Sequence, residues 1–310
     1  MALTTSAPPE AAVPRVTAGP GTDAAGLGRP RAAAFVAPAL LLVAVFLVFP
    51  ALWTLYLGLT NYRLTGIAAA RPQVVGLDNY RQALADPGFL AALWRTLVFV
   101  FGSAIVGQSV LGFVVAWYLR TAHPVVRRTV ETLVLLAWIL PSSIVAFLWV
   151  AFLDGGDGTL NALLGTRGHA WLVDNAMLSI VVFNAWRGTA FSMLLFSAAL
   201  AGVPPSQLET ARLAGASGWQ QLRDVVFPHT RGHILTNTLL ISLWTFNDFT
   251  PYLITAGGPN HATEILPVFI YVTAIYGGQL GFGAAISLLM LLINLLIALG
   301  YLRLLRERRR

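Results

Sequence analysis

The sequence predicts an all-α membrane protein with six transmembrane helices, and two observations carry that prediction. Of its 310 residues, 57% are hydrophobic and 11% charged, more apolar surface than a water-soluble core of ordinary composition hides. Six charge-poor segments reach or approach the about 20 residues needed to cross the hydrocarbon layer, and the loops between them alternate in arginine content.

In chain order, residues 1–32 are rich in Ala, Pro, Gly and Thr with Arg15, Arg29 and Arg31. This composition has too little apolar content to fold alone and is expected to be a disordered cytoplasmic tail. The uncharged run 35–59 is much longer than the roughly 7–15-residue apolar stretch of a signal peptide. It is read as a retained membrane helix with Pro38 and Pro50 as kinks. The remaining spans are expected at 97–119, 132–153, 177–200, 234–255 and 282–302. The tail, the 120–129 turn, the 201–233 loop and the C-terminus hold 14 of the 20 arginines, and the opposite loops only Arg63, Arg71, Arg81 and Arg167. Arg95 and Arg187 lie at or within helices. Arginines near helix ends resist translocation, so both termini are expected in the cytoplasm.

Residue types that are missing exclude whole chemistries. Every basic residue is arginine, so a G-x-x-x-x-G-K-[ST] phosphate loop, which needs its lysine, is absent. Any ATP used is hydrolysed by another subunit. Cysteine is absent too, which removes disulfides, thiolate metal sites and cysteine nucleophiles. His229 and His233 sit four apart without the H-E-x-x-H pattern and are read as interfacial, with no metal. Arg303, Arg306, Arg308, Arg309 and Arg310 flank a membrane helix and are read as a topology determinant that meets anionic lipid, not as a nucleic-acid patch.

The 201–233 connection is far longer than a turn between two helices needs. Pro204 and Pro205 lead into Ser206, and Glu209 stands three residues on, which predicts a capping box and a short helix over 207–214 stopped by Gly215. Ser217 and Gln220 repeat the signal, and a second short helix is expected to about Val226 before Pro228 prevents regular continuation. Leu208, Leu213, Trp219, Leu222, Val225 and Val226 give this elbow apolar contacts. Three readings stand: a knob entering a partner's groove, an amphipathic elbow on lipid headgroups, and a DNA-reading helix-turn-helix. The last lacks a basic face, since Arg212 and Arg223 are balanced by Glu209 and Asp224.

The stretch Glu209-Thr210-Ala211, then Gly215, then Val225, Phe227 and Pro228 is similar to the EAA loop of ATP-binding-cassette importer permeases. Thr210, Val225 and Phe227 depart mildly from that pattern. Residues 58–62 (Gly-Leu-Thr-Asn-Tyr) and 75–80 (Val-Gly-Leu-Asp-Asn-Tyr), Asp86-Pro87 with Phe89, and 255–259 (Thr-Ala-Gly-Gly-Pro) with Thr263 resemble the maltose-type, carbohydrate branch of these permeases. The resemblance covers most of residues 35–300. It implies a type I importer permease-like fold in which 33–310 is the permease domain and 201–233 its coupling loop. It also implies a place in the bacterial plasma membrane, transport of a sugar-like solute, and no cofactor on this chain. The implied partners are a second permease, giving a heterodimer, a cytoplasmic ATPase dimer and an extracytoplasmic solute-binding protein. Coupling to the ATPase would rest on Ser206, Glu209, Ala211, Gly215 and Pro228.

Polar side chains inside hydrocarbon are costly, about 2.5–3.5 kcal/mol for a charged group on insertion scales, so those present are expected to face a cavity or a partner. The fourth span carries Asn184, Trp186, Arg187, Gly188 and Ser192, and the fifth Trp244, Thr245, Asn247, Asp248 and Tyr252. At 3.6 residues per turn, Asn184, Gly188 and Ser192 share a face, as do Thr245, Asp248 and Tyr252. Amides, carboxylates and aromatic rings suit sugar hydroxyls and sugar faces. Arg187 and Asp248 equally suit a structural ion pair, and the amides suit helix-to-helix hydrogen bonds. The resemblance tilts the choice toward a solute pathway of Asn184, Trp186, Arg187, Gly188, Thr245, Asn247, Asp248 and Tyr252. Gln108 and Asn294 are read as joining helices.

Two rivals remain at this point. A gradient-driven carrier would show an internal repeat or a carboxylate relay, whereas Asp248 is the only clear intramembrane carboxylate. An intramembrane enzyme would need a convergent acid, base or metal constellation, and none is visible in the sequence.

Overall fold

A computed structural model describes residues 29–166 and 168–307. The tail before residue 29, Arg167 and Arg308–Arg310 lie outside the described residues. By its contacts the chain divides between Trp53 and Thr54 into two units. The described part of the first belongs to one long helix, α1 (Arg29–Gly58). Pro38 and Pro50 do not break it. A π turn at Ala44–Val48, in which the Phe49 N–H reaches back five residues to the Ala44 carbonyl, precedes Pro50. This wider turn re-registers the ladder where a proline supplies no N–H and its ring would crowd a carbonyl.

Among the described residues of the second unit the regular secondary structure is helical, with loops between the helices and one isolated bridge between Thr60 and Val74. Helix α2 is Asp78–Ala85. Helix α3, Pro87–Leu119, begins ten residues earlier than expected, because Arg95 hid its first turns from a hydropathy reading. Its start is chemically marked: Asp86 accepts the Gly88 N–H at 2.7 Å and Pro87 sits in the first turn. Helices α4 (Pro124–Ile139) and α5 (Ser142–Phe152) replace the single expected span 132–153, bent by 103°. Leu140, preceding Pro141, takes an extended ψ of 142°, as the proline ring demands.

Helix α6 is Ala176–Ala201 and α7 is Pro205–Leu213. Then Gly218–Gln221, a π turn Leu222–Val226 and Phe227–Phe246 follow without a break, forming α8. The expected stop at Pro228 is thus corrected: the chain passes Pro228 as it passes Pro50, behind a π turn whose Phe227 N–H bonds to the Leu222 carbonyl. The expected span 234–255 ends early, at Phe246, and resumes as α9 (Thr250–Thr255). Asp248 causes the interruption by taking the Thr250 N–H at 2.9 Å, a local bond that competes with the helical ladder. Helices α10 (Leu266–Tyr276) and α11 (Leu280–Glu307) complete the unit.

Four described helices, α1, α3, α6 and α11, are long and apolar enough to cross a bilayer, and the bent α4–α5 pair counted as one span makes five. Polar residues within α8, among them His229, Arg231, His233 and Asn237, keep it out of that count.

The closest crossing joins α3 to α6. A Cβ added to Gly107 would stand 2.5 Å from the Ala185 Cβ, and one added to Gly112 2.4 Å from the Ser192 Cβ. Small residues bring membrane helices this near because packing and hydrogen bonding, not water exclusion, hold them together. Ser192 is spent on this seam, and the face it was expected to share with Asn184 and Gly188 is the one that meets α3, through Ser103 and Gln108. Three apolar clusters tie the remaining helices together. Phe89, Ile241, Leu266 and Ile286 join α3, α8, α10 and α11. Phe99, Val145, Phe183 and Ile254 join α3, α5, α6 and α9. Leu119, Phe196, Leu208 and Val226 lock α7 and the start of α8 onto α3 and α6.

Candidate functional site

Two features of the second unit have functional chemistry. The first is a cavity of about 420 Å³ where α3, α4, α5, α6, α8 and α9 meet. Asn184, Arg187, Gly188, Thr245, Asn247 and Asp248 line it. The structure therefore brings together six of the eight residues singled out for a pathway. The other two lie elsewhere. Trp186 faces a separate apolar depression beside Trp149, with ring centroids 5.6 Å apart. Tyr252 belongs to an aromatic group with Phe249, Tyr271 and Tyr276, donating from its hydroxyl to that of Tyr276 at 3.2 Å. Tyr252 leaves the face of Thr245 and Asp248 because the chain departs from helical geometry between Phe246 and Thr250.

The cavity wall also contains residues the sequence reading did not select. Trp138, Phe191 and Trp244 form an aromatic group with centroids 5.6–6.2 Å apart, two of its three contacts edge-on. Ser142 enters because the bend at Pro141 turns the start of α5 inward. Gln108 reaches it by lying against Gly188, donating from Nε2 to the Asn184 carbonyl at 3.1 Å. It thus joins helices as expected and lines the cavity as well. A Trp one turn before a Pro-marked bend was the available signal for Trp138.

Hydrogen bonds decide what each polar group has left to offer. Asn184 is only 5% exposed, and its amide nitrogen bonds both Ser103 Oγ at 2.7 Å and Thr245 Oγ1 at 3.3 Å, joining α3, α6 and α8. Arg187 donates from Nη1 to Thr250 Oγ1 at 3.3 Å and from Nη2 to Ser142 Oγ, and Nη1 lies 3.9 Å from Asp248 Oδ2. Asp248 Oδ1 accepts both the N–H and the hydroxyl of Thr250, at 2.9 and 2.6 Å. The ion pair read from sequence exists, and it stands in the cavity wall. Asn247 and Asn294 exchange hydrogen bonds of 3.3–3.4 Å between α8 and α11.

The second feature is the elbow. Helix α7 begins with Pro204 as its cap and Pro205 in its first turn, and Ser206 makes no capping bond. The Ser206–Glu209 capping box is therefore corrected: Pro205 has no N–H to cap, so the helix opens one residue before the serine. The exit matches expectation, with Gly215 at φ +80°, the Ala216 N–H on the Ala211 carbonyl and the Gly215 N–H on that of Arg212, both at 2.9 Å. This is a Schellman ending. The Ser217–Gln220 capping box forms in both directions.

Leu208 and Val226 are buried in the cluster beneath the elbow, while Leu213 is 90% and Trp219 66% exposed. Ser206, Glu209, Gly215 and Pro228 are exposed and Ala211 half-buried. Behind them the Arg120 guanidinium lies 3.9 Å from the Trp117 ring centre, its pKa lowered by burial and by nearby Arg212. His229 bonds the Val225 carbonyl through Nδ1.

Comparison with known proteins places this geometry. Residues 108–310 match the family described as binding-protein-dependent transport system inner membrane component. The inner membrane ABC transporter permease protein YcjO of Escherichia coli is 30% identical over 85% of this chain and 90% of its own. The sn-glycerol-3-phosphate transport system permease protein UgpA of Agrobacterium fabrum is 29% identical over 88% and 94%. A bacterial ABC transporter involved in the import of the acidic polysaccharide alginate superposes with a TM-score of 0.69 at 19% identity, over 89% of this chain and 95% of the other.

Proposed function

Because the chain belongs to the family of binding-protein-dependent transport system inner membrane components, we propose that its 420 Å³ cavity is where a sugar-like solute crosses it. Membership makes it a multi-pass plasma-membrane permease subunit of an ATP-binding-cassette importer and not itself an enzyme. It works with a solute-binding protein and an ATPase. One observation carries the solute reading: polar groups from five helices converge on a space flanked by Trp138, Phe191 and Trp244. Apolar ring surfaces with a few placed polar groups are the pattern of a site for a small polyhydroxylated molecule. A relative whose name includes glycerol phosphate supports the polyhydroxylated character of the solute, not its charge.

The topology belonging to this reading has six spans, with α8 and the bent α4–α5 pair each counted once, and both termini in the cytoplasm. The permease domain is 33–310 and the tail 1–32 is cytoplasmic. The 201–233 elbow couples to the ATPase through Ser206, Glu209, Ala211, Gly215 and Pro228, with exposed Leu213 and Trp219 as apolar contacts. A second, different permease closes the open side of the cavity. ATP-driven movement of the elbow, locked by Leu208 and Val226 to α3 and α6, would then shift the bundle between two packings, exposing the cavity to each side in turn.

Reconstituted importer in lipid vesicles tests the reading. Replacing Trp138 and Trp244 by alanine should reduce solute-stimulated ATP hydrolysis at least several-fold while the complex still copurifies. Unchanged stimulation would remove the cavity from the solute path.

A further inference from the structure

Arg187 is the twelfth residue of the 26-residue helix α6, far from either end, where an unpaired charge is most costly. Its surroundings leave it little to give a solute. Nη1 is taken by Thr250 and faces Asp248, Nη2 is taken by Ser142, and Nε is sealed from solvent without an acceptor. A guanidinium that recognises carboxylate or phosphate presents two parallel N–H groups. Here one N–H on each terminal nitrogen is already given to the protein, Nη1 to Thr250 and Nη2 to Ser142. Asp248 in turn is held by Thr250, so both partners are fixed. Arg187 and Asp248 are the only formally charged residues in the cavity wall among the described residues, and their charges cancel. What remains for a solute is chiefly aromatic surface, because Asn247 is bonded to Leu243 and Asn294 and Gln108 Nε2 to the Asn184 carbonyl.

We propose that the Arg187–Asp248 pair makes this chain's side of the path electrically balanced, so that it takes an uncharged polyhydroxylated solute and rejects uronic or phosphorylated ones, with Asp248 as the specificity-determining residue. The proposal rests on the cavity being the solute path. Asp248 cancels the field that Arg187 would otherwise project into the cavity, where low dielectric makes a lone charge act strongly. An anion entering the cavity gains nothing from the paired arginine and still loses its own hydration.

The absence of cysteine from this chain permits a direct test in the intact importer in native membranes. A single Asn247→Cys places a thiol in the cavity wall. Its reaction rates with a cationic trimethylammonioethyl and an anionic sulfonatoethyl methanethiosulfonate are compared, each normalised to a free thiol. With Arg187 and Asp248 intact, the two normalised rates should agree within about twofold. Adding Asp248→Asn, which keeps an oxygen for the Thr250 N–H, should shift the ratio toward the anionic reagent by about tenfold, or 1.4 kcal/mol. Arg187→Gln should shift it the other way, and the double variant should restore balance.

ATP hydrolysis by the reconstituted importer should respond to uncharged mono- and disaccharides and not to their uronic or phosphorylated counterparts. A tenfold anionic bias with both residues intact, a ratio unmoved by Asp248→Asn, or stimulation by the anionic sugars overturns the proposal. Reagent ratios that behave as described, together with stimulation indifferent to the loss of Trp138 and Trp244, would overturn the location of the path and leave the charge balance standing.

Discussion

Gln108 of α3 lies directly against Gly188 of α6: a Cβ built on Gly188 would fall 2.1 Å from the Gln108 amide carbon. The same glutamine donates to the Asn184 carbonyl at 3.1 Å. The two helices therefore meet through an amide that fits only because a hydrogen stands where every other residue carries carbon.

Gly188→Ala should accordingly destabilise the purified complex by about 1–3 kcal/mol, the usual range for overpacking. Gln108→Ala in the same chain should recover most of that loss, since it removes the atoms in the way. Thermal unfolding of the four members of the cycle measures the coupling. Independent effects of the two substitutions would contradict the contact.

At the elbow the two serines should behave differently. Ser217→Ala removes a cap bond to the Gln220 N–H and should cost about 1 kcal/mol. It should weaken copurification of the ATPase subunit. Ser206→Ala removes no capping bond and should change stability by no more than about 0.5 kcal/mol. Protease sensitivity of the 201–233 segment in membranes distinguishes the two variants.

For Asn184→Ala, the lost bonds to Ser103 and Thr245 predict a fall in both transport and stability. Removing the amide leaves two buried hydroxyls short of a partner, at about 1–3 kcal/mol. Asn184→Asp, which keeps the shape but adds charge, should be worse than alanine at neutral pH. Uptake measured beside melting temperature shows whether the two effects travel together.

On the side of the bundle away from the elbow, Asn161 is 3% exposed and organises the 153–175 loop. Its amide nitrogen donates to the carbonyls of Asp154, Gly155 and His169, and its oxygen accepts from Thr166 and from the Trp171 indole at 2.7 Å. Asn161→Ala should release the indole N–H and loosen the loop. Faster proteolysis in the loop, with a changed Trp171 environment in fluorescence, would report it. Melting should fall by the equivalent of about 2–3 kcal/mol.

Signals confined to a few residues were legible in advance. The Gly215 ending, the Ser217–Gln220 box and the need of Arg187 for a partner follow from φ, from a spare N–H and from the cost of a buried charge. Where two local signals competed, the reading failed: Pro205 displaced Ser206 as the start of α7, and Asp248 ended α8 before Tyr252 could share its face. Trp138 and Ser142 were missed because they reach the cavity only through the bend between α4 and α5.

From the sequence alone came the membrane as solvent, the want of a lysine for a phosphate loop, and an elbow too long to be a turn. These depend on composition and on near neighbours, whose energetics are local. Only the tertiary structure decided which polar groups share one space, because Gln108, Ser142, Arg187 and Asp248 come from separate helices. Their meeting is set by where glycines let helices cross and where Pro141 and Asp248 interrupt them. Hydropathy along a chain records how apolar a helix is, and says nothing of which helix it will touch.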